Sequence, residues 1–252
     1  MSDDLVRLDV TDGLATVELN RPDAANALDL PLAEQLALAV DRLAGPDVRA
    51  VLLTGAGKRF CAGGDVRSFL AAEDPAAYLE QLASTADRAL QRLGELDKPV
   101  VAAVQGAVAG AGLAVMLSCD LVVAAAGTKF VTAYSGIGLT PDCGLSWLLP
   151  RAVGQQRALE LLLTPRTLSA VEARDWGLVT EVVDDAGVLA RAREVAATLA
   201  AGPASAFGQA RRLVRSSYAA SRAETGADEA ATIARAVQTE DAQRLIAAFT
   251  SR

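Results

Sequence analysis

Two glycine-rich runs stand out as places where a backbone could do chemistry: Gly55-Ala56-Gly57 with the residues on to Asp65, and Gly106 to Gly112. Each follows a short apolar stretch and leads toward a helical pattern. The first N–H groups of a helix have no partner inside it, so a turn of this kind aims donors outward at an oxygen. Two such turns acting together could grip one oxygen atom. Neither is a nucleotide-phosphate loop. Gly55-Ala-Gly57-Lys58 lacks the G-x-x-x-x-G-K-[ST] spacing, and Gly110-Ala-Gly112 lacks the third glycine of G-x-G-x-x-G. Histidine is absent from the chain. Serine–histidine and cysteine–histidine relays, imidazole metal sites and imidazole acid–base catalysis therefore drop out. Proton transfer is left to Asp, Glu, Lys, Tyr, Cys or water. Cys61, Cys119 and Cys143 form an odd set without C-x-x-C spacing, which suggests neither a disulfide framework nor zinc, and they read as small core fillers.

The elements around these loops follow from apolar spacing. Leu5 to Val10 and Leu14 to Leu19 alternate about Thr11-Asp12-Gly13, the pattern of a β-hairpin. After Asp29 as N-cap, with Pro31 in the first turn, Leu32, Leu36, Val40 and Leu43 recur at helical spacing until Gly45-Pro46. Val48 to Thr54 predicts a buried strand ending in the first glycine run. A helix is expected from Pro75 to Leu96, broken at Lys98-Pro99 before a strand over Val100 to Val104. The turn Gly106 to Gly112 then enters an apolar helix and a strand over Leu121 to Ala125. Runs this apolar argue for a parallel sheet covered on both faces. From Gly144 onward the pattern is helical, over Leu145 to Val153, Arg157 to Leu163, Ser169 to Trp176 and three longer segments between Ala186 and Phe249. Val179 to Val183 is the one further strand expected there.

A chain of 252 residues fits one domain with a modest appendage, here a core over 1–195 and a helical C-terminal region over 196–252. Apolar residues make up 52% of it and aromatics 4%, so Ala, Leu and Val must fill the core. The Ala-rich last third buries little unless it docks on the core or on a neighbouring subunit. The net charge of −7, with arginines scattered rather than striped, disfavours nucleic acid as a partner. The start Met1-Ser2-Asp3-Asp4 lacks the basic and apolar segments of a secretory signal, so a cytoplasmic location is expected. Ala107 to Leu117 falls short of the roughly 20 residues that cross a bilayer, and no membrane span is expected.

Leu52-Leu53-Thr54-Gly55-Ala56-Gly57-Lys58-Arg59-Phe60-Cys61-Ala62-Gly63-Gly64-Asp65 resembles the first signature of the enoyl-CoA hydratase/isomerase (crotonase) family, and Gly106 to Asp120 resembles the second. Arg21-Pro22-Asp23-Ala24-Ala25-Asn26-Ala27-Leu28 is similar to the family segment lying along the coenzyme A adenine and pantetheine. The resemblance covers nearly the whole chain. It implies an α/β fold, a crotonase-like spiral of ββα units with a helical C-terminal region, assembled through that region as a trimer or a dimer of trimers. It implies an acyl-CoA substrate held along Ala24, Ala25, Ala62, Asp65, Val66, Arg67 and Tyr134, no metal, and no cofactor beyond the coenzyme A moiety of the substrate. It also implies an oxyanion hole from the N–H groups of Gly64 and Ala111, each donor contributing about 3 kcal/mol as the thioester oxygen gains charge.

The family's hydratases carry two glutamates, and the same alignment puts Ala114 and Tyr134 at those positions. Hydration by that route needs carboxylates to activate water. One acid instead appears in Gly138-Leu139-Thr140-Pro141-Asp142-Cys143-Gly144-Leu145-Ser146-Trp147-Leu148-Leu149-Pro150-Arg151, a run that resembles the family's ring-epoxide isomerases of phenylacetate breakdown. A single carboxylate suits isomerisation, since it can take a proton at one carbon and return it at another. Asp142 has a second, compatible reading as the N-cap of the helix that follows, and Asp65 likewise as the cap of a helix starting near Val66. Tyr134 reads either as a donor in the acyl pocket or as a buried tyrosine satisfied by backbone. Trp147 and Trp176 read as core or interface anchors, Lys58 and Arg59 as phosphate contacts or solvated charges, and Arg211-Arg212 as a solvated helix face. Hydration, thioester hydrolysis and non-catalytic acyl-CoA binding remain the alternatives to isomerisation.

Overall fold

The computed structural model describes residues 4–251, so the Met1-Ser2-Asp3 start read above lies outside the described residues. The strands are β1 (Val6–Thr11), β2 (Leu14–Leu19), β3 (Ala50–Gly55), β4 (Val100–Val104), β5 (Ala107–Ala109), β6 (Leu121–Ala125), β7 (Lys129–Val131), β8 (Leu168–Ser169) and β9 (Glu181–Val183). The α-helices are α1 (Leu30–Leu43), α2 (Val66–Leu70), α3 (Pro75–Glu95), α4 (Ala111–Leu117), α5 (Leu145–Val153), α6 (Gln155–Leu163), α7 (Ala170–Asp175), α8 (Val188–Ala201), α9 (Ala204–Ser216), α10 (Arg222–Ala236) and α11 (Glu240–Thr250). The expected hairpin forms, and β4, β6 and α5 keep the predicted bounds. Three expectations are corrected. The Gly106–Gly112 turn contains β5, Leu168–Ser169 forms a strand after Gly144, and four rather than three helices follow Ala186.

The main sheet runs β1-β2-β3-β4-β6-β9, antiparallel only between β1 and β2 and parallel beyond. Every residue of β3 and β4 is buried. The alternation of a strand then sorts them onto two apolar layers. Val51, Leu53, Val100, Ala102, Val104, Val122 and Ala124 face α1, α3, α4 and α5. Ala50, Leu52, Val101, Ala103, Val123 and Ala125 face α8, which presents Val188, Ala192, Ala196 and Ala200 at four-residue spacing. Alanine on both surfaces lets the helix approach closely. A fully buried leucine such as Leu32 or Leu53 contributes about 2 kcal/mol.

β5, β7 and β8 form a second, three-stranded sheet. β5 pairs in parallel with β7 and β7 antiparallel with β8. On the other side of β5 the extended segment after β3 joins through a parallel bridge from Cys61 to Val108, and its far edge bridges Gly64 to Leu28. Strand–strand–helix units therefore recur along the chain, as β1-β2-α1, β4-β5-α4 and β6-β7-α5. Among the described residues no helix is long and apolar enough to cross a membrane.

The last helices are tied to the core by a guanidinium. Arg211, expected on a solvated face, is buried. It donates to both oxygens of Asp120 at 2.7 and 2.8 Å, to the carbonyls of Leu93 and Gly94 at 2.7 Å each, and to that of Leu96. Those carbonyls end α3, where the helix leaves acceptors unpaired. Arg215 adds a bond to Asp120 at 2.9 Å, and Arg212 pairs with Asp228 across α9 and α10. Trp147 is exposed, with the Arg151 guanidinium 3.8 Å above its ring, and the guanidinium groups of Arg157 and Arg166 lie 4.8 and 4.6 Å from the Trp176 ring.

Candidate active site

Both glycine loops leave the carboxyl ends of adjacent parallel strands, β3 at Gly55 and β4 at Val104, the side on which open α/β sheets take ligands. Their contact is dictated by missing side chains. A methyl group on Gly63, which sits at φ +96°, would lie 2.9 Å from the Ala109 carbonyl oxygen, and one on Gly112 would lie 2.3 Å from that of Cys61. Glycine alone fits at both places.

The pairing register then places two amides. Cys61 lies opposite Val108 in a parallel bridge, and a side chain on Gly63 would meet Ala109 and Gly110, so Gly64 follows beside the segment that enters α4 at Ala111. Leu28 donates to the Gly63 carbonyl at 2.7 Å and accepts from the Asp65 N–H at 2.8 Å, so the N–H of Gly64, between them, points to the opposite side, toward the second loop. At Ala111 the chain turns into α4, and its N–H is one of the unpaired first-turn donors. Neither N–H donates to an acceptor among the described residues. Ala111 is buried, whereas Gly64 is exposed with open space where a side chain would stand.

The upstream segment docks on the same loop. Pro22–Ala24 forms a 3₁₀ turn, Ala25 and Asn26 take left-handed φ of 56° and 53°, and the Ala62 N–H donates to the Ala25 carbonyl at 3.1 Å. Asn26, fully buried, accepts from the Arg21 N–H and donates to the carbonyls of Ala56 and Arg59. Nothing in its spacing had singled it out. Arg21 reaches Asp29 at 3.1 Å and Asp65 at 2.7 Å. Both acids also cap helices, Asp29 accepting from the Leu32 N–H and Asp65 from that of Arg67. Burial raises the Asp65 pKa, but bonds from Arg21, Ser68 and the Arg67 N–H together outweigh it and hold the carboxyl below its ordinary value. Val66 and Arg67 open α2 and are exposed, as are Lys58 and Arg59.

Asp142 does not cap α5, which corrects that reading: the N-cap is Gly144, in the left-handed region, and the Asp142 backbone carbonyl accepts from the Leu145 N–H. Its half-buried side chain instead accepts a 2.6 Å hydrogen bond from the Tyr134 hydroxyl at Oδ1. The Tyr134 hydroxyl thus donates to a carboxylate side chain and also takes a hydrogen bond from the Asp142 backbone. Its ring lies 3.8 Å from where a Gly110 side chain would begin, joining Asp142 to the second loop. Burial, and after it the Asp142 charge, pushes the Tyr134 phenol well above its ordinary range. The three cysteines are buried as expected, and burial raises the Cys61 thiol to about 12. Ala114, buried in α4, offers no acid at the position of the first hydratase glutamate.

Residues 9–252 match the profile of the enoyl-CoA hydratase/isomerase family. The chain is 40% identical to 1,2-epoxyphenylacetyl-CoA isomerase of Escherichia coli, over 82% of this chain and 80% of that one. It is 38% identical to 4-chlorobenzoyl coenzyme A dehalogenase-2 of an Arthrobacter species, over 80% and 74% respectively. The crystal structure of an enoyl-CoA hydratase from Mycobacterium smegmatis superposes with a TM-score of 0.92 at 30% identity, covering 98% of this chain and 96% of that one.

Proposed function

This chain belongs to the enoyl-CoA hydratase/isomerase family, and from that premise we propose that it is an acyl-CoA isomerase, moving a double bond or rearranging a ring epoxide through a thioester enolate. The relatives named above carry out different reactions on the same frame, so the acid side chains must decide the outcome. The observation that carries the reading is a carboxylate, Asp142, hydrogen-bonded to Tyr134, whose ring lies against Gly110 in the loop that bears Ala111.

For a 3-enoyl thioester the steps balance without an added reactant. Asp142 takes a proton from C2, and the electron pair moves toward the thioester oxygen, which the N–H groups of Gly64 and Ala111 hold as charge develops. The dienolate then recovers the proton at C4 from the same carboxyl, leaving the conjugated 2-enoyl thioester. Fixed donors aimed at the developing charge are usually the largest part of such catalysis. One group serves both proton transfers, and no redox or metal step is required. Ala24, Ala25, Ala62, Asp65, Val66 and Arg67 form the proposed border for the coenzyme A moiety.

We infer assembly as a trimer or a dimer of trimers, supported by Ile233, Val237, Leu245, Ile246 and Phe249, which α10 and α11 leave exposed. Light scattering on the purified protein gives the subunit number, and a monomer contradicts it. The function is tested by incubating the protein separately with crotonyl-CoA and a 3-enoyl-CoA. Conjugation of the 3-enoyl thioester is the expected product. Hydration of crotonyl-CoA alone, release of free coenzyme A, or tight binding without product would each replace this reading.

A further inference from the structure

Two unusual backbone conformations bracket the contact between Tyr134 and Asp142. Ala133, just before the tyrosine, has φ +64°, and Cys143, just after the aspartate, has φ +51°. Left-handed backbone at residues with a Cβ costs roughly 1–3 kcal/mol each and persists where surrounding structure demands it. Here both strained residues adjoin the two side chains that meet, and both are held by further bonds. The Tyr134 N–H donates to the Thr132 carbonyl at 2.9 Å, while its own carbonyl accepts from Ile137 and Leu139 at 3.1 and 3.0 Å. The Leu145 N–H, at 2.9 Å, fixes the peptide of Asp142.

We propose that Tyr134 is a positioning residue for Asp142: by anchoring Oδ1 it stops the carboxyl from rotating and fixes the direction in which it meets the shuttled proton. The Cys143 thiol adds a hydrogen bond to the same carboxyl. Burial, and after it the Asp142 charge, favours the protonated, donating form of the phenol, consistent with that role. An unanchored carboxyl is free to turn about its terminal torsion, which has broad minima, and would present either oxygen and release its proton to water. An anchored one holds the proton between the two carbons. Tyr134 also occupies the alignment position of a hydratase carboxylate, so one substitution removes an acid and restrains the acid that remains.

The inference rests on Asp142 being the proton shuttle, and the experiment separates the two. Wild type, Asp142→Asn and Tyr134→Phe are compared on a 3-enoyl-CoA deuterated at C2, following turnover and the deuterium retained at C4, and crystal structures of wild type and Tyr134→Phe are determined. Tyr134→Phe is expected to lower kcat about 10-fold with KM within about 2-fold, to lose deuterium to solvent, and to show Asp142 in more than one rotamer. Turnover surviving in Asp142→Asn, or absent from wild type, overturns the shuttle reading and this one with it. An inactive Asp142→Asn beside a Tyr134→Phe that keeps wild-type kcat and label transfer overturns the Tyr134 inference alone. So does a kcat loss with label transfer and the Asp142 rotamer unchanged, because a general loss of structure would do that.

Discussion

Gly112 and Cys61 meet so closely that a methyl group on the glycine would lie 2.3 Å from the cysteine's carbonyl oxygen. Both positions are buried, and the clashing atom is backbone, which cannot swing aside. Gly112→Ala must therefore part the loops carrying Gly64 and Ala111. We expect a loss of about 2 kcal/mol in stability and roughly 100-fold in turnover, the scale of a 1 Å misplacement of reacting groups. Denaturant unfolding and steady-state kinetics check the two parts, and wild-type turnover in this variant would show that the loop spacing does not matter to the chemistry.

Arg211→Ala should destabilise the chain by about 3–5 kcal/mol, the scale for removing one partner of a buried ion pair. Asp120 keeps Arg215 and the Val100 N–H but loses its bidentate partner, and three carbonyls at the end of α3 lose their donor. Arg211→Lys should recover only part of this, since one ammonium cannot reproduce a planar fork serving four groups. Urea unfolding of both variants is the check, with equal stability to wild type as the contrary outcome.

Asp65 makes a prediction about acid. Its folded pKa lies below the ordinary value near 3.8, so its ionised form contributes stability that is complete above that value and lost as pH falls through the lowered one. Asp65→Asn keeps a capping side chain and loses the charge facing Arg21. At pH 7 its Tm should lie about 2–4 °C below wild type, for a loss of about 1 kcal/mol in a chain of this size. Below about pH 4 the gap should narrow. A gap that stays constant from pH 7 to pH 3 would contradict the assignment.

How much of this was legible beforehand depended on distance along the chain. β4 and β6 are continuous apolar runs, and their bounds followed from composition. β5, β7 and β8 are two or three residues long and exist because the second sheet pairs them, which no local pattern announces. Asp29 and Asp65 cap their helices as expected because capping is decided within three residues. Arg211 finds Asp120 across 91 residues, so helical spacing alone left it on a solvated face. The two glycine loops could be recognised, whereas the bond from Tyr134 to Asp142 depended on left-handed backbone at Ala133 and Cys143, where side chains gave no sign of it.

The most direct test removes the charge of Asp142 and nothing else. With a 3-enoyl-CoA as substrate, Asp142→Asn should lose roughly 1,000-fold in kcat, while calorimetry gives an acyl-CoA Kd within about 2-fold of wild type, since binding rests on the loops and not on the acid. Turnover at the wild-type rate in that variant, with binding equally intact, would contradict the account.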